Sequence, residues 1–204
     1  MNAFDRRIPL MLELGFREDG LSALREYIDL LWAANDELNL ISRKMTFEEL
    51  IDNHLIDCLL ALPLFPREIK KAADFGAGGG LPGVAYAIQF PQLPYQLFEK
   101  SVKKREFLSR CQKIAPNLEI LGEIPQDLDG VDLVTARAFK PIDVILDISR
   151  KYYDRGGSYF LLKARKEKIE EELALARKKW KHLEARIEPL KSPLLEVERH
   201  IVLI

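Results

Sequence analysis

Five glycines crowd into the eight positions from Gly76 to Gly83, just after an acid, Asp74. Glycine at the turn between a strand and a helix permits positive φ and lets a ligand approach bare backbone. A second acid, Glu99, lies 23 residues past Gly76 at the close of another apolar run, where a carboxylate can accept hydrogen bonds from both hydroxyls of a ribose. An arginine, Arg137, ends a third apolar run. Two acids, a glycine turn and a guanidinium suit the binding of a nucleoside ligand. They do not make a nucleophilic or metal site.

Three ligands compete for the glycines. A phosphate loop needs G-x-x-x-x-G followed by Lys and Ser or Thr, and no such pair follows here. A dinucleotide fingerprint matches literally only from Gly78 to Gly83, a frame that puts Pro82 inside the turn and leaves "DFGA" unexplained. The third reading takes Asp74 with "FGAGGG": an acid before G-x-G-x-G suits a ligand with a cationic aminoacyl group, and Glu99 suits its ribose. That ligand is S-adenosylmethionine. A turn that serves tight packing alone is the plainer alternative. The functions left open here include an S-adenosylmethionine-dependent methyltransferase for a small molecule or protein, a nicotinamide-dependent oxidoreductase and a catalytically silent RNA-binding protein.

These groups must be held by strands and helices. In the first third, Leu21, Leu24, Tyr27, Ile28, Leu31 and Trp32 fall at helical spacing. Thr46 with Glu49 three positions on predicts a capping box, opening a helix over 47–62. From about Ile69 strands alternate with helices: strands over 71–75, 95–100, 118–121, 131–139 and 156–164, and helices over 81–90, 101–115, 141–153 and 165–180. Two closing strands, near 183–190 and 199–204, have no helix between them and predict an antiparallel hairpin. Such alternation predicts an α/β fold with a parallel sheet covered on both faces. The expected division is an N-terminal helical extension, 1–66, and a ligand-binding domain, 67–204.

Charge and cysteine narrow the classes. A net charge of −1 excludes a uniformly basic nucleic-acid binder, so such a partner must meet a local patch. Cys58 and Cys111 both lie in apolar helical patterns, which speaks against a disulfide framework, a zinc cluster or a cysteine nucleophile. No apolar run approaches the ~20 residues that span a bilayer. The expectation is a cytoplasmic, monomeric protein without metal.

"NLIS" (39–42), "NHLIDCL" (53–59), "DFGAGGGLPG" (74–83), "FEKSVKKREFL" (98–108), "TARAF" (135–139) and "ERHIVLI" (198–204) occur in the order found in the glucose-inhibited division protein B family, which the chain resembles over most of its length. That family methylates N7 of a guanine in the decoding region of small-subunit ribosomal RNA. The resemblance implies a Rossmann-like S-adenosylmethionine-dependent methyltransferase fold, with a mostly parallel seven-stranded sheet, an antiparallel C-terminal hairpin and an N-terminal helical extension. It also implies S-adenosylmethionine as cofactor and 16S ribosomal RNA of the small subunit as partner. By position, Gly76, Gly78 and Leu81 would line the methionine side, Glu99 would hold the ribose, and Glu123 and Ile124 would flank the adenine. Arg137 would stand at the junction of cofactor and substrate, as the catalytic residue. Lys103, Lys104, Lys163, Arg199 and His54 fall on positions the family favours. Two departures are "GEIPQDLDG", shorter than the family's loop, and Ala164, where glycine is common.

The chemistry agrees with the residues. Guanine N7 is unprotonated at neutral pH, so its methylation needs orientation and electrostatics but no general base. Arg137 could contact a phosphate or base, orient a carboxylate through its fork of donors, or form an ordinary strand-end salt bridge. His54 is read as packing against the cofactor domain. For RNA phosphates, Lys103, Lys104, Lys163 and Arg165 are favoured among the basic residues, because they should lie nearest the ligand edge of the sheet.

Overall fold

A computed structural model describes residues 2–42 and 44–204. Helix α1 (Ala3–Glu13) opens with a reciprocal cap between Asn2 and Asp5. It falls within the expected helical extension, although no separate helix is drawn there from the sequence, and it accommodates Pro9. Helix α2 (Leu21–Leu38) buries Leu24, Tyr27, Ile28 and Leu31 of the stripe its spacing predicts but leaves Leu21 half-buried and Trp32 exposed, and it stops where Asn39 turns left-handed at φ +50°. The Thr46–Glu49 capping box forms in both directions and starts α3 (Phe47–Leu50). The expected single helix over 47–62 is interrupted: a π-helical stretch, Ile51–Ile56, carries it into the short α4 (Asp57–Leu59).

The second part alternates as expected. The elements are β1 (Ala72–Phe75), α5 (Gly83–Gln89), β2 (Tyr95–Phe98), α6 (Val102–Cys111), β3 (Leu118–Leu121), β4 (Leu133–Arg137), α7 (Ile142–Ile148), α8 (Arg150–Asp154), β5 (Ser158–Lys163), α9 (Lys166–Lys179), β6 (Arg186–Leu190) and β7 (Arg199–Leu203). The expected helix over 141–153 breaks into α7 and α8 at Ser149. Its hydroxyl donates back to Ile145 O at 2.8 Å and lies 2.8 Å from the Tyr159 hydroxyl. Such back-bonding competes with the helix ladder.

The sheet order is β3-β2-β1-β4-β5-β7-β6. The first five strands are parallel, and β7 lies antiparallel between β5 and β6, which is the expected C-terminal hairpin. The strand order reverses between β1 and β4, so a crevice opens past their carboxyl ends, where open α/β sheets take ligands. The glycines follow β1, Glu99 follows β2, and Arg137 ends β4. One topological feature thus gathers all three.

Strand residues alternate between two apolar clusters. Ala72, Tyr95, Leu97, Phe160 and Ile201 join the first cluster, while Ala73, Phe75, Phe98, Tyr159, Leu161 and Val202 join the second. Helices α7, α8 and α9 cover the second. The first is covered by α5 and α6 together with the N-terminal helices, so one continuous core runs across the sequence division at 66/67. Tyr27 on α2 is fully buried and donates its hydroxyl to Gly79 O at 2.7 Å, tying that extension to the glycine turn.

Candidate active site

Two cavities adjoin at the crevice. The first, about 400 Å³, is floored by Gly76, Ala77, Gly78 and Gly79 and walled by Leu31, Leu40, Ile41, Leu81, Phe98, Glu99, Gly122, Ile124 and Phe139. Gly78 adopts φ +57°, and a Cβ there would meet only Gly76 O, at 3.7 Å. The main chain therefore presents itself to the cavity with nothing covering it. Gly76, at φ +68°, has no such room, because the Phe139 ring stands where its side chain would begin.

Glu99 frames the opposite side. Its Oε2 accepts from Gly78 N at 3.0 Å and its Oε1 from Ser101 N at 2.8 Å. Each oxygen keeps acceptor capacity for a hydroxyl, since a carboxylate offers about four lone-pair sites. Of the residues singled out from the sequence, Gly76, Gly78, Leu81, Glu99, Ile124 and Arg137 are brought together in the lining of this cavity.

Asp74 and Glu123 do not. Asp74 is 1% exposed and lies behind the glycine turn. Its carboxylate accepts from Thr135 Oγ1 at 2.8 Å and from the Gly83 N–H. Burial pushes this carboxyl up to about 7, against those hydrogen bonds and the pull of Arg137. The expected contact with a ligand's ammonium is corrected to a brace beneath the turn. The signal was present in the strand: Asp74 shares a face with Ala72, which points into the first core. Glu123 turns to solvent and pairs with Lys100 at 3.1 Å, so its neighbours Gly122 and Ile124 supply the wall instead.

The second cavity, about 780 Å³, is lined by residues from the extension, β4, β5, α9 and β7, among them His54, Asp57, Arg137, Phe139, Lys163, Arg165, Glu172 and Arg199. Its basic residues are not equivalent. Lys163 Nζ donates to Glu172 Oε2 at 2.7 Å and to Lys140 O at 2.9 Å, so its charge is already answered. That corrects its expected role as a free phosphate contact. Arg199 Nε donates to Asp57 Oδ1, and its Nη1 to Glu198 O. Arg165 is exposed at the rim, Lys104 lines the first cavity, and Lys103 is exposed outside both.

His54, Arg137, Ala138 and Phe139 belong to both cavities. Ala138 takes a left-handed φ of +51°, unusual for a residue with a side chain, and so turns Phe139 back over Gly76. Arg137 is largely buried. Its Nη2 donates to His54 Nδ1 at 3.0 Å, and its Nη1 lies 3.7 Å from Asp57 Oδ2. Its buried Nε has no hydrogen-bond partner among the described residues. Burial, then Arg137 and Arg199, hold His54 down to about 4, so its ring is neutral at pH 7 and accepts at Nδ1. Burial also pushes both thiols, Cys58 and Cys111, up to about 12 and makes them poor nucleophiles.

The sequence reading missed the walls made by the extension. Leu31, Leu40 and Ile41 face the first cavity, and Asp57 faces the second. Helical spacing places Leu31 on the buried stripe of α2. What lies opposite that stripe is a long-range fact.

The family model described as rRNA small subunit methyltransferase G matches residues 20–202. The chain is 65% identical over 201 residues to ribosomal RNA small subunit methyltransferase G 1 of Bdellovibrio bacteriovorus, covering 98% of each chain. It is 34% identical over 190 residues to ribosomal RNA small subunit methyltransferase G of Brachyspira hyodysenteriae, covering 92% of this chain and 91% of that one. Its fold is similar to that of precorrin-6Y C5,15-methyltransferase from Geobacter metallireducens, with a TM-score of 0.55 at 15% identity over 83% of this chain and 94% of the other. The sequence match, spanning the extension, both cavities and the closing hairpin, places the chain in the rRNA small subunit methyltransferase G family.

Proposed function

We propose that the protein transfers a methyl group from S-adenosylmethionine to N7 of a guanine in 16S ribosomal RNA of the small subunit, working in the cytoplasm as a monomer. The carrying observation is the wall that the two cavities share, with the orphaned Nε of Arg137 buried in it. The first cavity fits the cofactor: an open cradle at Gly78, a carboxylate for ribose hydroxyls at Glu99, and apolar surface at Ile124, Phe98 and Leu31 for the adenosyl group. The second fits a nucleotide, with cations at its rim and an aromatic ring at Phe139 beside the shared wall.

When bound, S-adenosylmethionine supplies a methyl group activated by its sulfonium charge. The bond from N7 to the methyl carbon forms as the bond to sulfur breaks. Positive charge passes to the purine, and no proton is transferred. The protein's task is alignment, which can lower such a barrier by ~7–11 kcal/mol in well-oriented cases. Gly76 and Gly78 set the depth of the cofactor, Glu99 its rotation, and Arg137 donates to the ligand side of the shared wall. Neutral His54 keeps the Arg137 fork in one orientation. Arg165, Lys104 and Lys103 are exposed or at the rims and would meet phosphates, so binding should weaken as salt rises.

Incubation of the protein with methyl-labelled S-adenosylmethionine and undermethylated small subunits tests the reading. Label mapping to N7 of one guanine is expected. Label on another base, or none on RNA, would defeat it.

A further inference from the structure

We infer that Asp57 is a positioning residue for the transfer: from the N-terminal extension, its carboxylate holds the Arg137 guanidinium in the wall between the two cavities. The inference rests on the function proposed above and concerns how the same site is kept in order. Two largely buried cations converge on this point, Arg137 from the end of β4 and Arg199 from the start of β7, with side-chain exposures of 17% and 25%. The Asp57 carboxylate, itself 10% exposed, lies between them. Its Oδ1 accepts from Arg199 Nε, and its Oδ2 lies 3.7 Å from Arg137 Nη1.

No other carboxylate pairs with Arg137 among the described ion pairs, and the second partner of its fork, His54 Nδ1, brings no charge. Without Asp57 the two guanidinium groups would face each other uncompensated in a poorly solvated wall, and each would move to find solvent or a phosphate. The buried Nε of Arg137, without a partner among the described residues, would then leave its place in the wall. Asp57 lines only the second cavity, so losing it should spare the cofactor. One carboxylate thereby couples the extension, β4 and the C-terminal hairpin at the reacting centre.

The test is a double-mutant cycle of Asp57→Asn and Arg137→Ala, which separates action through a partner from independent damage. Single-turnover methylation of small subunits should slow about 30-fold in Asp57→Asn, while calorimetric affinity for S-adenosylmethionine stays within about threefold. Asp57→Glu should recover most of the rate. In the Arg137→Ala background, Asp57→Asn should cost less than about twofold. An unchanged rate in Asp57→Asn, or equal loss in both backgrounds, would overturn the inference. Should the Asn variant unfold, Asp57→Ser alone and in the Arg137→Ala background gives the same cycle. Nitrogen-15 spectra of the arginine side chains give a readout independent of turnover. Hindered Arg137 Nη rotation in the wild type and averaged signals in Asp57→Asn support the inference, and identical spectra contradict it. Absence of methylation by the wild type would defeat the proposed function, while these spectra would still decide the role of Asp57.

Discussion

The two cavities share a wall yet are built from opposite materials. The first is mostly main chain and apolar side chain, with positive-φ glycine at its floor and one acid, Glu99, at its edge. The second is lined by longer side chains, apolar ones such as Leu162, Ile169, Leu195 and Val197 beside the ion pairs of Lys163 with Glu172 and Arg199 with Asp57. A rigid backbone cradle suits a small ligand of fixed shape. Paired cations keep a fixed shape but have little net charge left for a polyanion, so phosphates would fall to the exposed cations at the rim, Arg165 among them. The turn is therefore the place proposed for the cofactor, and the cavity lined by longer side chains the place proposed for the substrate.

The largest expected effect separates the two directly. Gly78→Val fills the open cradle and should weaken S-adenosylmethionine binding more than about 100-fold by calorimetry. The strain of a β-branched residue at φ +57° should lower the melting temperature by only a few degrees. Retained affinity would mean that the cofactor does not lie over that turn. Next, Arg137→Ala should reduce single-turnover methylation about 100-fold while changing cofactor affinity less than about fivefold. A loss confined to cofactor affinity would move Arg137 wholly into the first cavity.

Two buried groups sharpen the contrast through pH. His54 stays neutral in the fold down to about 4, whereas an ordinary histidine takes a proton near 6.5. Its contribution to stability is present above 6.5 and lost as pH falls towards 4. Asp74 keeps its proton up to about 7 instead of releasing it near 3.8. Its contribution is present below 3.8 and lost as pH rises through 7. Melting curves should therefore show His54→Gln losing less stability than the wild type on acidification from pH 6.5 to 4.5. Asp74→Asn should lose less on going from pH 5 to 8. Parallel pH profiles for variant and wild type would remove the assigned burial of either group. The smallest effect belongs to Tyr27→Phe, which leaves Gly79 O without its donor and should cost about 1–2 kcal/mol in denaturant unfolding.

Much of the sheet could be read from the sequence because its strands alternate strictly between two cores, and the capping box at Thr46 predicted a real helix start. That Gly78, Glu99 and Arg137 come together at one cavity was legible because each follows or ends a strand at the crevice. Asp74 was misread because an acid beside glycines suggests a ligand contact. The facing Thr135, 61 residues away, is what turns it into a buried brace. The Lys163–Glu172 pair escaped for a similar reason, since it joins a strand to the following helix and local charge patterning is blind to it. Nothing local in α2 or in residues 39–42 indicates that Leu31, Leu40 and Ile41 wall the first cavity. That is decided by packing across the whole chain.

The division of labour between the cavities is tested most directly by crystals grown with S-adenosylhomocysteine. Ribose hydroxyls against the Glu99 carboxylate and adenine against Ile124, with the second cavity free of ligand, is the expected result. Density for the ligand among Lys163, Glu172 and Arg199 instead would contradict it.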